Sequence, residues 1–284
     1  MKISIVTDEI SSDFETAIEL GVEWGVHNFE LRGAGGNRVP YLSDFQTDKI
    51  QHLLESYQAQ IVALSPGLFK IPFVPAERGR FPVEYIDQGI YQEWKAGREL
   101  MKFHLDELLP ASIEYALKLE VPLIVIFGFD RQGLPPGDPP GEVIDALRKG
   151  AELAGKAGIK LAIEVENGFW ADTGERSAAL IRKVNHPALG VNWDPGNAIE
   201  AGDIPFPDGY HAVRDLVRHV HFKDVISLPE GGFRYAVEGE IDWLGQIRAL
   251  SKDGYGGYIS VETHMAPKVQ SAKMVLDRLV SLLG

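Results

Sequence analysis

The chain contains no cysteine. That absence excludes disulfides, thiolate-ligated metals and cysteine nucleophiles outright. It also lacks a long apolar run: the opening Met1-Lys2-Ile3-Ser4-Ile5-Val6 is too short for a signal-peptide core or a membrane span. Basic residues are in deficit, with 28 Lys and Arg against 41 Asp and Glu, for a net charge of −13. A surface of that sign repels nucleic acid and anionic lipid, and no run of Lys and Arg suggests a local exception. No G-x-G-x-x-G follows the first β-rich run, so the dinucleotide-binding fingerprint is missing too. The expectation is a cytoplasmic protein with no nucleic-acid or membrane partner and no organic cofactor. Its substrate would be small and neutral, or anionic and held by a metal. Assembly into a homo-oligomer stays open.

What the chain does have is an ordinary globular balance, 45% hydrophobic and 24% charged over 284 residues, enough to fill one sizeable core. Short β-rich apolar runs recur, each followed by a segment of helical period. Strands are predicted near Ile3–Thr7, Asn28–Leu31, Gln60–Ser65, Pro122–Phe127, Lys160–Glu166, Leu189–Asp194, His219–Lys223 and Tyr258–Glu262. Capping-box signatures open three of the helices, at Ser12-Asp13-Phe14-Glu15, Ser43-Asp44-Phe45-Gln46 and Asp172-Thr173-Gly174-Glu175. Pro110 is expected in a helical first turn, where proline is tolerated, and the segment around Asp208–Leu216 has the weakest helical pattern. Eight alternating strand–helix units in one domain, residues 1–284, predict an α/β fold closed into a single (β/α)₈ TIM barrel rather than an open sheet.

Two connections are unusually long. Pro66–Asp106, a long insertion after the third strand, carries Trp94 with several Phe and Tyr and reads as a lid or pocket wall. Gly128–Glu142 includes Leu134-Pro135-Pro136-Gly137-Asp138-Pro139-Pro140, which cannot be regular structure and reads as a surface excursion. Both are βα loops, which build the active-site face of this fold.

The acids and histidines of the last four strands carry the chemistry. Period two along strand five turns Ala162, Glu164 and Glu166 toward the barrel axis, with Glu166 at the C-terminal end and Glu164 about 6–7 Å deeper. Asp194 ends strand six, His221 shares the inner face of strand seven with His219 and Lys223, and Glu262 ends strand eight. Alone, a strand-end Glu is usually solvated and an inner His usually a hydrogen-bonded core residue. Four together on adjacent strands would crowd carboxylates in a low-dielectric mouth. One divalent metal on Glu166, Asp194, His221 and Glu262 removes that cost. Oxygen-rich ligation favours Mn²⁺, with Mg²⁺, Co²⁺ or Zn²⁺ also suited.

The same residues carry a resemblance. Glu166-Asn167, Asp194-Pro195-Gly196-Asn197, His221-Phe222-Lys223-Asp224 and the Gly257–Glu262 ending resemble the xylose isomerase-like barrel superfamily, in its sugar isomerase and epimerase branch. Ketose 3-epimerases, hydroxypyruvate isomerases and inosose-processing enzymes belong there. Asp8-Glu9-Ile10-Ser11, Glu30-Leu31-Arg32 and Glu238-Gly239-Glu240-Ile241-Asp242 extend the likeness over nearly the whole chain. The resemblance implies that Glu166 and Glu262 also shuttle protons, through an enediolate that the metal stabilises. Proton return to the opposite face gives epimerisation, and return to the neighbouring carbon gives aldose–ketose isomerisation.

Secondary candidates are substrate contacts. Lys223 and Arg32 can hold a substrate oxygen, or equally form ion pairs with barrel carboxylates. Arg234 reaches a substrate only if it is more than a solvated loop arginine. Trp170 is a candidate pocket wall, Trp193 is better explained by core packing, and His264 reads as structural. Asn197 stands where relatives with D-x-x-H have histidine, and its amide can hydrogen-bond a hydroxyl but cannot titrate.

The expectation is thus a metal-dependent isomerase or epimerase of a small sugar or polyol. A dehydratase or lyase of a cyclitol or keto-acid, using the same ligands, is the main alternative. An apurinic endonuclease fits poorly, because the histidines of its three-zinc site are missing and Gly231-Gly232-Phe233 occupies the place of its D-x-H. A non-catalytic sugar-binding barrel would not need the complete ligand set.

Overall fold

The computed structural model describes residues 1–73 and 97–284. Eight parallel strands close into a barrel: β1 Lys2–Val6, β2 Asn28–Leu31, β3 Gln60–Leu68, β4 Leu123–Ile126, β5 Lys160–Glu164, β6 Leu189–Trp193, β7 Val217–Phe222 and β8 Tyr258–Val261. Each pairs with its neighbours in chain order, and β8 returns to β1 with Ile5 opposite Val261. The outer ring is α1 Phe14–Glu23, α2 Asp44–Ser56, α3 Leu109–Lys118, α4 Gly141–Lys156, α5 Gly174–Val184, α6 Tyr210–Val213, α7 Trp243–Lys252 and α8 Lys268–Leu283. This is the expected TIM barrel.

Strand alternation sorts the core into two parts. Outward residues such as Ile124, Ile126, Leu161, Ile163, Val191, Val220 and Ile259 are fully buried in one continuous layer against the helices. Each such side chain contributes roughly 1.5–3 kcal/mol by leaving water. Inside the barrel, Ala63, Leu123, Val125 and Ala162 form a small apolar cluster. Glu30, Ser65, Glu164, Asn192, His219, His221 and Ser260 are buried too, and the alternation turns them to the same interior. The barrel therefore has a polar heart, which needs partners for every group.

The capping chemistry is mostly where the motifs put it. Ser43 and Gln46 form a reciprocal capping box at α2, and the Thr173 side chain accepts from the Arg176 amide at α5. At α1 the cap is Asp13, accepting from Thr16 N at 2.9 Å, one residue beyond the expected Ser12. Asp172 instead pairs with Arg131 and Arg176. Gly174 starts α5 because a Cβ there would lie 2.1 Å from the Gly209 carbonyl oxygen.

Pro110 falls in the first turn of α3, as expected, but α3 does not start from a loop: helical residues run from Gly97 onward, and a wider π turn at His104–Leu108 accommodates the proline's missing N–H. The sixth connection is a turn at Pro205–Gly209 followed by the four residues of α6. Residues 74–96 of the insertion, Trp94 among them, lie outside the described residues, so its expected role as a lid is not addressed. Among the described residues no helix is long and apolar enough to cross a membrane.

Candidate active site

The C-terminal ends of β5 to β8 converge on four side chains: Glu164, Asp194, His221 and Glu262. One ligand atom from each lies within 4.8 Å of the others, and all four residues are buried. His221 Nδ1 is 3.2 Å from Glu262 Oε2, 3.5 Å from Glu164 Oε1 and 3.7 Å from Asp194 Oδ2. Glu164, His221 and Glu262 line a cavity of about 550 Å³, together with Asp8, Arg32, Lys70, Glu166, Lys223 and Tyr235. That volume suits a small ligand.

Position 164, not 166, supplies the fourth member. The strand-end reading assumed four ligands at matching heights. The ladder is staggered instead: Glu164 pairs in register with Asn192, and His221 with Ser260. Strand tilt brings the deeper carboxylate level with the others. β5 ends at Glu164, and Glu166 lies two residues further on, at the cavity wall, before the chain turns at Gly168, φ +82°. There Glu166 faces Lys70 at 3.2 Å and accepts from the Asn197 amide at 3.2 Å. Burial raises its pKa, partly offset by Lys70.

Residues of the first two strands hold the cluster in place. Glu30, fully buried on β2, meets His221 Nε2 at 3.1 Å and His219 Nε2 at 2.9 Å, and accepts from Ser65 Oγ. Burial alone would raise the Glu30 carboxyl, but His221 and His219 hold it well below the usual range. The contact with Nε2 leaves Nδ1 of His221 facing the carboxylates, as a carboxylate-oriented metal-binding histidine requires. Arg32 is a three-way clamp, donating to Asp8 Oδ1 at 2.8 Å, Glu9 Oε1 at 2.6 Å and Glu262 Oε1 at 2.8 Å. Glu9 in turn accepts from Thr263 N at 3.1 Å and His264 N at 2.9 Å, fixing the exit of β8.

Lys223 is only 2% exposed and bridges Asp194 Oδ2 at 2.8 Å and Glu262 Oε2 at 2.9 Å. Burial would lower its pKa, but the surrounding carboxylates raise it well above the ordinary value. The same contest holds Glu262 well below the usual range: burial opposes ionisation, while Lys223, His221 and His264 outweigh it. For His221, burial is overridden by Glu262, Glu30 and Glu164, and the pKa rises.

The secondary candidates divide. Asn197 lines the cavity, its amide donating to Val165 O at 2.9 Å as well as to Glu166, while its backbone N–H is capped by Asp194 Oδ1 at 2.9 Å. Lys223 and Arg32 line it as ion-paired residues. Arg234 is exposed on the Asp224–Ser227/Phe233–Ala236 hairpin, and its neighbour Tyr235 is the one that lines the cavity. Trp170 is buried, donates to Phe73 O at 3.1 Å and borders a separate cavity beside the Pro136–Pro139 tract. Trp193 is fully buried, as core packing predicts. His264 lies 3.4 Å from Glu262 and 5.1 Å, ring to ring, from Tyr235. Sequence reasoning missed Lys70, on the loop after β3, and Tyr235, on the short hairpin after β7. Glu30 enters the sequence reading only within Glu30-Leu31-Arg32, although an acid on an inward strand position is itself a readable signal.

The donor set fits a divalent cation. Three carboxylates and one imidazole suit a hard or borderline ion. His221 Nδ1 is buried without a hydrogen bond and faces the carboxylates, and Asp194 Oδ2 meets only Lys223 at 2.8 Å and His221 at 3.7 Å. A buried ring nitrogen left open toward carboxylates is expected where a metal completes its coordination.

Comparison with known proteins agrees with this architecture. Among curated proteins, the inosose dehydratase of Geobacillus kaustophilus is 27% identical over 161 residues, 49% of this chain and 52% of that protein. The chain thus aligns with about half the length of this relative. Among solved structures, the D-psicose 3-epimerase of Clostridium cellulolyticum H10, with D-tagatose, superposes with a TM-score of 0.71 at 15% identity, covering 100% of this chain and 99% of that one. The probable 3-DHS dehydratase of Bacillus anthracis involved in petrobactin synthesis gives 0.69 at 17% identity, covering 99% of each. At these identities the structural likeness speaks for the fold alone. A model described as xylose isomerase-like TIM barrel matches residues 18–280, and the chain belongs to that family.

Proposed function

We propose that the chain is a divalent-metal-dependent enzyme that moves a proton at the carbon beside the carbonyl of a small polyhydroxy compound. The observation that carries this reading is the ring of Glu164, Asp194, His221 and Glu262 beside a cavity of sugar size. A cation held by these four would supply Lewis acidity to a substrate oxygen. Glu262, kept ionised by its cationic neighbours and aligned by Arg32, is the group to accept the proton. Glu166, pushed toward its protonated form on the cavity wall, is the group to donate one. Carboxylates whose surroundings drive them apart in this way divide into base and acid, and each positioned group is worth roughly 10²–10⁴ in rate.

Loss of water is the outcome favoured by the place of Glu166 on the cavity wall, where it can serve a departing hydroxyl, and by the likeness to inosose dehydratases. Isomerisation or epimerisation is the second reading, favoured because both carboxylates line one cavity and can remove and return a proton without any leaving group. Incubating the Mn²⁺-loaded protein with ketoses, inososes and polyhydroxy keto-acids in D₂O separates the two by NMR. Deuterium beside the carbonyl with water lost supports dehydration; deuterium with every atom retained supports isomerase or epimerase. No exchange from a folded, metal-loaded sample across the panel refutes both.

A further inference from the structure

The contacts of Lys223 leave no room for two cations at once. Its ammonium sits 2.8 Å from Asp194 Oδ2 and 2.9 Å from Glu262 Oε2. The other oxygen of each carboxylate is already committed: Asp194 Oδ1 caps the helix Pro195–Glu200 through Asn197 N at 2.9 Å, and Glu262 Oε1 accepts from Arg32 at 2.8 Å. Metal ligation at about 2.0–2.2 Å would therefore fall to the two oxygens that Lys223 holds. An ammonium so close to a dication is strongly repelled in a buried site. The side chain also has a bed built for it. A Cβ at Gly196 would lie 2.9 Å from Lys223 Cγ and 3.1 Å from Cε, so only glycine lets the lysine stem lie across this turn.

Given the divalent-cation site proposed above, on which this rests, we infer that Lys223 is a built-in counter-ion that competes with the metal for Asp194 and Glu262. It holds the acids together without metal and is displaced toward the substrate when metal enters. Glu166 and Glu200 line the same cavity and offer carboxylates to the displaced ammonium. Metal occupancy then switches Lys223 from a partner of the ligands to a donor for the substrate. This makes it a positioning residue tied to the metal, and orders the events as metal first and substrate second.

Titration calorimetry with Mn²⁺ on the wild type and on Lys223→Met tests this, together with thermal melts of each with and without Mn²⁺. The variant is expected to bind Mn²⁺ at least tenfold more tightly. Its metal-free melting temperature falls by several degrees and recovers on adding Mn²⁺, so the metal-induced shift exceeds that of the wild type. Unchanged or weaker Mn²⁺ binding by the variant, with the wild type binding normally, overturns the competition and leaves the metal site standing. A lysine that is merely structural gives that result, with equal loss of stability in both forms. Absence of Mn²⁺ binding by the folded wild type overturns the metal site and this inference with it. If Lys223→Met fails to fold, the Mn²⁺-bound wild-type crystal structure decides. Lys223 Nζ beyond about 4 Å from Asp194 Oδ2 and Glu262 Oε2 supports displacement, and Nζ still within hydrogen-bond reach of both, about 3.2 Å, refutes it.

Discussion

His104 couples acid stability to the wall of the active site. It is completely buried at the start of the π turn, between the rings of Phe69 at 5.9 Å and Phe103 at 5.8 Å. Its Nδ1 accepts from the Phe69 amide at 2.7 Å, pinning a non-glycine residue at φ +60° immediately before Lys70. Burial pulls the imidazole pKa down to about 3. The unfolded chain titrates near the ordinary value of roughly 6.5, so below that pH it binds a proton that the folded chain refuses. Stability linked to His104 is therefore fully present above about pH 6.5 and is lost as pH falls toward 3. At about 1.36 kcal/mol per unit, the loss is roughly 2 kcal/mol at pH 5 and approaches 5 kcal/mol at pH 3, a large share of a typical domain stability. In His104→Gln the amide oxygen can still accept from Phe69 N but does not titrate. Urea unfolding at pH 7.5 and pH 5.0 is expected to show a pH-dependent loss about 2 kcal/mol smaller in the variant than in the wild type. Carboxylates titrate in both proteins and cancel in the double difference. Equal losses in the two would refute a neutral, buried His104.

Two further substitutions test the metal cluster. Glu164→Gln is expected to weaken Mn²⁺ binding by at least tenfold, about 1.4 kcal/mol, while Glu166→Gln changes it by less than about threefold; calorimetry giving the reverse order would return the ligand role to Glu166. Glu30→Gln touches no ligand oxygen, yet is expected to cost roughly 10–100-fold in Mn²⁺ affinity by releasing the orientation of His221, and wild-type affinity in a folded variant would show that the histidine needs no such partner.

The barrel was legible because its signals are local and repeated. Each strand of the site has an alternating pattern that assigns Glu164, His221 and Lys223 to the inner face without any knowledge of the neighbours. Height along the axis is not local. It depends on how β5 is staggered against β6 and β7, and so parity alone, which turns both Glu164 and Glu166 inward, favours Glu166 where the structure brings Glu164 into the cluster. Lys70 and Tyr235 were invisible for a related reason: Lys70 reaches the cavity from a loop whose course is set by long-range contacts such as His104 to Phe69, and Tyr235 from a hairpin outside the barrel. Arg234 reads as a loop residue in the sequence, yet it shares a short hairpin strand with Tyr235, where neighbours face opposite ways and only Tyr235 lines the cavity.

The Arg32 clamp has a consequence for how the protein can change. All four cluster residues come from the second half of the barrel, while Glu9, Glu30 and Arg32, which aim and tether His221 and Glu262, come from the first. A fragment carrying β5 to β8 alone would possess every donor atom and no means of aiming them. The seam between the first and last strands is thus also the seam between reagent and alignment. Drift at the ends of the first two strands can retune the cluster without altering any of its four side chains.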